Sequence, residues 1–93
     1  MNIIYNPIFE RQVLEIIDYI FDDKPAASKK FALELERLIL TIPLNPFKYR
    51  QSHYFKEKNI RDMTYKGHTI VYEVDLENDC IEILSIFNKN KPV

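Results

Sequence analysis

Six basic side chains fall within one short part of the chain, and aromatic side chains are interleaved with them. Residues 43–68 hold six Lys or Arg against two acidic residues, a balance of +4 in a protein of net charge −1: Lys48, Arg50, Lys56, Lys58, Arg61 and Lys66. The rings among them are Phe47, Tyr49, Tyr54 and Phe55. Cations bind phosphate or carboxylate oxygens, and rings stack on bases. The segment is therefore a candidate surface for a polyanion or a carboxylate-rich partner. The alternative is a solvated loop whose rings tuck under the helices, which we favour for the rings and leave open for the cations.

Arg61 and His53 are the single residues in this segment with the clearest chemical options. Arg61 could anchor a phosphate or a partner carboxylate, or it could form a surface ion pair with a nearby acidic residue. His53 and His68 are the candidates for a general base near neutral pH, and His53 lies among the cations. Their spacing does not suit a metal ion, and a single glycine excludes a Gly-rich phosphate loop. We therefore predict neither a metal nor a cofactor.

The length and the cysteine count limit the class of protein further. Ninety-three residues predict a single domain over residues 1–93. The lone Cys80 excludes an internal disulfide, and because it begins an apolar run we expect it to be buried. No apolar stretch approaches the roughly 20 residues of a membrane span, and no signal-peptide pattern is present. We expect a soluble, cytoplasmic protein.

Two amphipathic helices are predicted in the first half of the chain, after a short strand at residues 2–5. Asn6-Pro7 is a helix start signal, and apolar residues recur at helical spacing to about Phe21. A second helix runs from about Ala26 to Thr41 and is stopped by Pro43. A short link between two such helices predicts an antiparallel hairpin that needs an apolar surface to lie on.

The second half of the chain predicts three strands after an irregular segment at residues 43–58. A two-residue turn at Lys66-Gly67 or Gly67-His68 joins the first two strands. Either turn places the same side chains toward the helices: Arg61, Met63, Tyr65, Ile70, Tyr72 and Val74. Arg61 then sits at the rim of an apolar face. A bulge would turn its side chain to the other face. Alternatively, its stem lies on the core while its head group reaches water. The last strand, Cys80 to Phe87, is apolar at both odd and even positions, which indicates an inner strand covered on both sides.

The order of these elements and several short motifs resemble the RelE/ParE superfamily of bacterial toxins from type II toxin–antitoxin (plasmid stabilisation) systems. The resemblance covers nearly the whole chain. It is carried by Tyr5-Asn6-Pro7, Ile17-Asp18-Tyr19-Ile20, Ala27 with Phe31, Ile42-Pro43-Leu44-Asn45-Pro46, Ile60-Arg61, Ile70-Val71-Tyr72-Glu73-Val74 and the run from Ile81 to Pro92. It implies an α+β fold in which a short N-terminal strand and the helix hairpin pack on a mainly antiparallel sheet of three to four strands.

The resemblance implies two activities that differ in kind. ParE-like members bind and poison DNA gyrase, whereas RelE-like members cleave messenger RNA on the ribosome. Ribonuclease members carry Lys, Arg and a late Tyr or His that stabilise the phosphorane and move protons. Here Arg61 matches the arginine, and Lys56 and Lys58 could stand in for the loop lysines. No Tyr or His follows Phe87, so His53 would have to move the protons. The ParE-like branch is therefore favoured.

The favoured interpretation is a gyrase-binding toxin that a cognate antitoxin neutralises within a toxin–antitoxin hetero-oligomer. The expected contacts with the target or the antitoxin are Arg61, Lys48, Arg50, Lys56, Lys58, Tyr72 and Lys89. The first alternative is a ribosome-dependent endoribonuclease with its site at Arg61, Lys56, Lys58 and His53. The second alternative is a non-toxic member of the superfamily that binds only an antitoxin-like partner.

Overall fold

The computed structural model of the protein describes residues 1–88, which form two helices on one face of a four-stranded sheet. The elements are β1 (Asn2–Tyr5), α1 (Pro7–Asp23), α2 (Pro25–Thr41), a 3₁₀ turn (Ile42–Leu44), β2 (Ile60–Tyr65), β3 (His68–Asp75) and β4 (Cys80–Asn88). The strand order is β1-β4-β3-β2, and β1 is the one strand that runs parallel to its neighbour. This arrangement confirms the predicted α+β class. No helix within residues 1–88 is long and apolar enough to cross a membrane.

The helix hairpin begins at the predicted signal. The Asn6 side chain accepts a hydrogen bond from the Ile8 N–H at 2.8 Å, and Pro7 occupies the first turn of α1. A single residue, Lys24, separates α1 from α2, so α1 extends two residues past the predicted end. Between the helices, buried Ser28 donates from its hydroxyl to the Ile17 carbonyl at 3.0 Å. The helices are therefore tied to each other as well as packed on the sheet.

The core lies between the helices and one face of the sheet, as the alternation in the sequence predicts. Its fully or nearly fully buried members come from both helices and from three strands: Phe9, Phe31, Leu35, Ile39, Met63, Ile70, Tyr72, Val74, Ile81, Ile83 and Ile86. A smaller cluster on the opposite face joins Ile60, Val71 and Phe87. Cys80 is buried, as expected.

A bulge in β4 explains why both odd and even positions of that strand are apolar. Val71 pairs with Ser85, but the next residue, Tyr72, pairs with Ile83, so β4 carries one extra residue, Leu84. The extra residue reverses the alternation, which lets Ile83 and Ile86 both face the helices. The inner position predicted for β4 is confirmed, and the bulge lies in β4 rather than beside Arg61.

The β2–β3 hairpin turns at Lys66 and Gly67, the first of the two predicted positions. Both residues have positive φ, 47° and 80°, as a type I′ turn requires. Next to the turn, the Tyr65 hydroxyl donates to Glu34 Oε1 of α2 at 2.5 Å, and Lys66 Nζ lies 3.2 Å from the same oxygen. These two contacts lower the pKa of Glu34, and the Glu34 carboxylate raises the pKa of Lys66. The cluster fixes the tip of the hairpin to the second helix.

Candidate functional site

The segment between the 3₁₀ turn and β2, residues 45–59, is the candidate site and is called the basic loop below. Part of it runs antiparallel beside the outer edge of β2. The Ser52 N–H donates to the Ile60 carbonyl at 2.8 Å, and the Asp62 N–H donates to the Arg50 carbonyl at 3.1 Å. The loop therefore covers the backbone groups of an edge strand that would otherwise be open.

The Arg61 guanidinium binds two main-chain carbonyls of the basic loop. Nε donates to the Lys58 carbonyl at 2.9 Å, and Nη1 donates to the Tyr49 carbonyl at 3.0 Å. The guanidinium carbon also lies 4.8 Å from the centre of the Phe47 ring, a cation–π distance. Arg61 thus joins Tyr49 to Lys58 across the loop. It sits half-buried at the rim of the apolar face, as predicted, and its head group binds loop carbonyls.

The ion-pair alternative for Arg61 is not found within residues 1–88, where the salt bridges involve other residues. One of them belongs to the next residue, Asp62, whose side chain is completely buried. Asp62 Oδ2 accepts from the His53 N–H at 3.0 Å and lies 3.8 Å from Arg50 Nη2. Asp62 Oδ1 has no hydrogen-bond partner among the described residues. Consecutive strand residues point to opposite faces, so Asp62 holds the loop from the face opposite Arg61.

The buried position of Asp62 and its bonds to the loop were not predicted from the sequence. The available signal was its position between Ile60 and Thr64 on a face that also carries Val71. A carboxylate on such a face is either exposed or paired. The pairing was not predictable, because it depends on the path of a loop that shows no periodicity.

Tyr72 is a core residue, which corrects the expectation that it contacts a partner. Its side chain is fully buried, and its hydroxyl donates to the Pro46 carbonyl at 2.6 Å. The Tyr49 ring meets it edge to face with centroids 6.4 Å apart. Burial, together with the neighbouring Tyr49, raises the pKa of Tyr72 well above its usual range, although Arg61 acts in the opposite direction. The Tyr72 hydroxyl therefore holds the start of the basic loop against the core.

The remaining predicted cations within the described residues are exposed on the basic loop. Lys48, Arg50, Lys56 and Lys58 all lie at the surface, and Lys48 Nζ stands 5.5 Å from the Tyr49 ring centre. Arg50 is the member of this set that forms an ion pair within residues 1–88. The predicted contact Lys89 lies outside the described residues. One loop therefore presents four of the predicted contact residues on its surface.

Three of the four loop rings are half exposed, and the fourth packs against the core. Phe47, Tyr54 and Phe55 retain 40%, 44% and 44% of their accessible surface. Tyr54 packs edge to face on Phe87, with centroids 5.0 Å apart, and so covers the sheet face that looks away from the helices. Tyr49, in contrast, is partly buried against the core between the helices and the sheet. The expectation that the rings tuck under the helices is therefore right in part for Tyr49 and wrong for Tyr54.

The candidate general base, His53, has an exposed side chain, and its contact with Asp62 is made by its main-chain N–H. Of the four residues of the ribonuclease alternative, Arg61 directs Nε and Nη1 to loop carbonyls, and Lys56 and Lys58 are exposed. Within residues 1–88 no group of His, Cys, Asp and Glu is arranged to hold a metal ion.

A groove of about 430 Å³ lies toward the edge of the sheet opposite the basic loop, between α1 and the second half of β4. Ile16, Ile20 and Ile86 are among its apolar walls, and Glu15 is its acidic residue. β1 pairs with β4 from Cys80 to Ile83, and within residues 1–88 no strand pairs with the later part of that edge. At Ile86 the edge N–H donates to the Gln12 side chain at 2.8 Å.

The comparisons with known proteins agree with the fold described above. No curated protein matches the sequence. Among solved structures, the fold is similar to a chain of the chromosomal ParDE TA system from P. aeruginosa, with a TM-score of 0.76, 13% identity and 95% of each chain covered. The model of the family described as the ParE toxin of the type II toxin–antitoxin system parDE matches residues 3–91, almost the full length. The chain therefore belongs to the ParE toxin family of type II toxin–antitoxin systems.

Proposed function

We propose that this protein acts in the cytoplasm by binding DNA gyrase, that the basic loop makes the contact, and that a cognate antitoxin neutralises it. The observation that carries the proposal is the display of Lys48, Arg50, Lys56 and Lys58 on one loop that is fixed to an edge strand. Clustered exposed cations steer a protein toward an acidic surface and help to set the register of the complex. Half-exposed rings beside them supply the apolar contacts that anchor an interface.

The hydrogen bonds that Arg61 makes within the chain favour binding over catalysis. A ribonuclease site needs a guanidinium aimed at the phosphate and a proton-handling side chain within hydrogen-bond reach. In this chain two nitrogens of Arg61 are occupied by the carbonyls of Tyr49 and Lys58. The endoribonuclease and the non-toxic partner-binding protein remain as outcomes of the experiments below.

The groove between α1 and β4 is our proposed contact for the antitoxin. Its walls are apolar, and an extended segment laid beside the later part of β4 would continue the sheet past the end of β1. The acidic Glu15 in the groove favours a segment that carries a basic side chain. The groove and the basic loop involve different residues, so the antitoxin and the target would occupy separate surfaces.

The deciding experiment is a supercoiling assay with purified protein and gyrase. The wild-type protein should inhibit supercoiling, and the double variant K56A/K58A should weaken inhibition on the order of tenfold, because two exposed contact charges are lost. The matched control is K29A/K30A, which removes two adjacent exposed lysines from α2 and should leave inhibition unchanged. Equal loss in both double variants would reject the basic loop as the contact.

Expression without the antitoxin separates the remaining functions. Growth arrest with a DNA-damage response supports gyrase as the target. Arrest with transcripts cut at ribosome-bound codons, and with normal supercoiling, would establish the endoribonuclease instead. Absence of arrest, together with capture of the product of a neighbouring small reading frame, would establish the non-toxic binding protein.

A further inference from the structure

We propose that Arg61 is a positioning residue: its guanidinium clasps Tyr49 and Lys58, on opposite sides of the basic loop's tip, and so holds the exposed cations in their binding arrangement. The inference rests on the proposed function and deepens it, because it separates the residue that shapes the contact surface from the residues that touch the target.

The clasp joins two residues that are well separated along the loop. The two carbonyls that Arg61 binds belong to Tyr49 and Lys58, which lie on opposite sides of the loop's tip. A planar guanidinium presents donors in fixed directions and can hold two acceptors at once. The side chain therefore adds, at the base of this loop, to the backbone pairing that Arg50 and Ser52 make with β2.

Repulsion among its cations destabilises the basic loop. Lys48, Arg50, Lys56 and Lys58 share a short segment whose one acidic member is Glu57, so the loop repels itself. The Arg61 guanidinium at the base of the loop would add to this repulsion if it lay beside the other cations. The guanidinium instead faces two carbonyl oxygens and the face of Phe47, which are all electron-rich.

Ordering the basic loop costs conformational entropy. A contact loop that is already ordered loses less conformational entropy when the target binds. The backbone bonds of Ser52 and Asp62 fix the middle of the loop's path along β2. Pro46 and Asn59, near its two ends, are bound by β3, and Arg61 adds the tie between Tyr49 and Lys58. Removing the clasp should leave the sheet folded and loosen the loop between Tyr49 and Lys58.

The test combines a target-free measurement with the inhibition assay. Chymotrypsin cleaves after aromatic residues, and the exposed Tyr54 and Phe55 place its sites within the loop. In R61A, cleavage there should accelerate on the order of tenfold, because local opening loses two hydrogen bonds to a charged group. Inhibition of supercoiling should weaken by a similar factor. R37A, at an exposed arginine of α2, is the control and should change neither quantity.

Two further variants distinguish a clasp from a contact. R61K keeps the charge but cannot span both carbonyls, so it should open the loop nearly as much as R61A. K48A should weaken inhibition while cleavage stays at the wild-type rate. Thermal unfolding followed by circular dichroism checks that each variant is folded; if R61A is not, R61K decides.

The proposal is overturned if R61A or R61K weakens inhibition while the loop stays as resistant to chymotrypsin as in the wild type, since Arg61 would then contact the target itself. It is also overturned if R61K behaves as the wild type in both assays. If the wild-type protein does not inhibit gyrase, the proposed function fails, and the cleavage rates alone decide whether Arg61 holds the loop.

Discussion

Arg61 and Asp62 are neighbours on β2, and they hold the same loop from opposite faces of the sheet. Arg61 binds the carbonyls of Tyr49 and Lys58, while Asp62 binds the His53 N–H and approaches the Arg50 guanidinium. Because side chains alternate along a strand, two adjacent residues suffice to grip a loop that passes around the strand's edge. The edge strand β2 thereby becomes the support of the basic loop.

Replacement of Asp62 by Ala should destabilise the protein. The change removes a buried acceptor from the His53 N–H and leaves Arg50 without its carboxylate, which should lower the free energy of unfolding by about 2 kcal/mol. Urea unfolding followed by fluorescence measures the loss. Glu57→Ala, at an exposed carboxylate of the same loop, is the matched control and should cost less than about 0.5 kcal/mol. An equal cost in both variants would contradict a structural role for Asp62.

Replacement of Tyr72 by Phe should remove one buried hydrogen bond and little else. Loss of the bond to the Pro46 carbonyl should lower the free energy of unfolding by about 1 kcal/mol. The raised pKa of Tyr72 means that the unfolded chain releases this proton first as pH rises, so the wild type should lose stability above about pH 10. Urea unfolding at pH 8 and pH 10.5 should show a smaller decline in Tyr72→Phe, and an unchanged decline would reject the burial of this hydroxyl.

The Glu34 cluster should contribute a dependence of stability on acid pH. The pKa of Glu34 is lowered by the Tyr65 hydroxyl and by Lys66, so on acidification the unfolded chain takes up this proton before the folded chain does. The contribution is complete above the unfolded pKa of the carboxyl and is lost as pH falls through its folded pKa. Between pH 5 and pH 3, Glu34→Gln should therefore lose less stability than the wild type. Parallel declines in thermal unfolding would show that the cluster contributes nothing.

Gly67 should be required for its backbone conformation alone. Its φ is 80°, and a Cβ built on it would meet no atom within 4 Å. Gly67→Ala should therefore lower the free energy of unfolding by about 1 kcal/mol through strain in the left-handed region, without any steric clash. Asn tolerates this region better, so Gly67→Asn should cost less. Denaturant unfolding that ranks Ala and Asn equally, or Ala as neutral, would contradict this explanation.

The helices, the hairpin and its inward face were predictable because each is encoded by local periodicity and turn chemistry. Asn6-Pro7 fixes the start of α1, and alternation around Gly67 placed Met63, Ile70 and Val74 toward the helices. The bulge at Leu84 was not predictable, because apolar residues on both sides of an inner strand leave the register undetermined.

The positions of the loop cations were predictable from the sequence, whereas the geometry of the loop was not. Composition alone identified the cations of the basic loop, and the structure displays Lys48, Arg50, Lys56 and Lys58 at the surface. The role of Arg61 and the burial of Tyr72 depend on where a non-periodic loop passes in space. No pattern along the chain records which carbonyls a guanidinium will meet.

The parallel pairing of β1 with β4 has a consequence for the order in which the protein can be assembled during translation. Asn2 pairs with Cys80 and Tyr5 with Ile83, so the first strand made has no partner until nearly the last strand has left the ribosome. At about 5–20 residues per second, this wait lasts several seconds. The basic loop, in contrast, is bound by Arg61 and Asp62 of a strand only a few residues later, although its contacts with Tyr72 and Phe87 wait for β3 and β4. On the nascent chain, the bonds between β2 and the loop can therefore form while one edge of the sheet is still open.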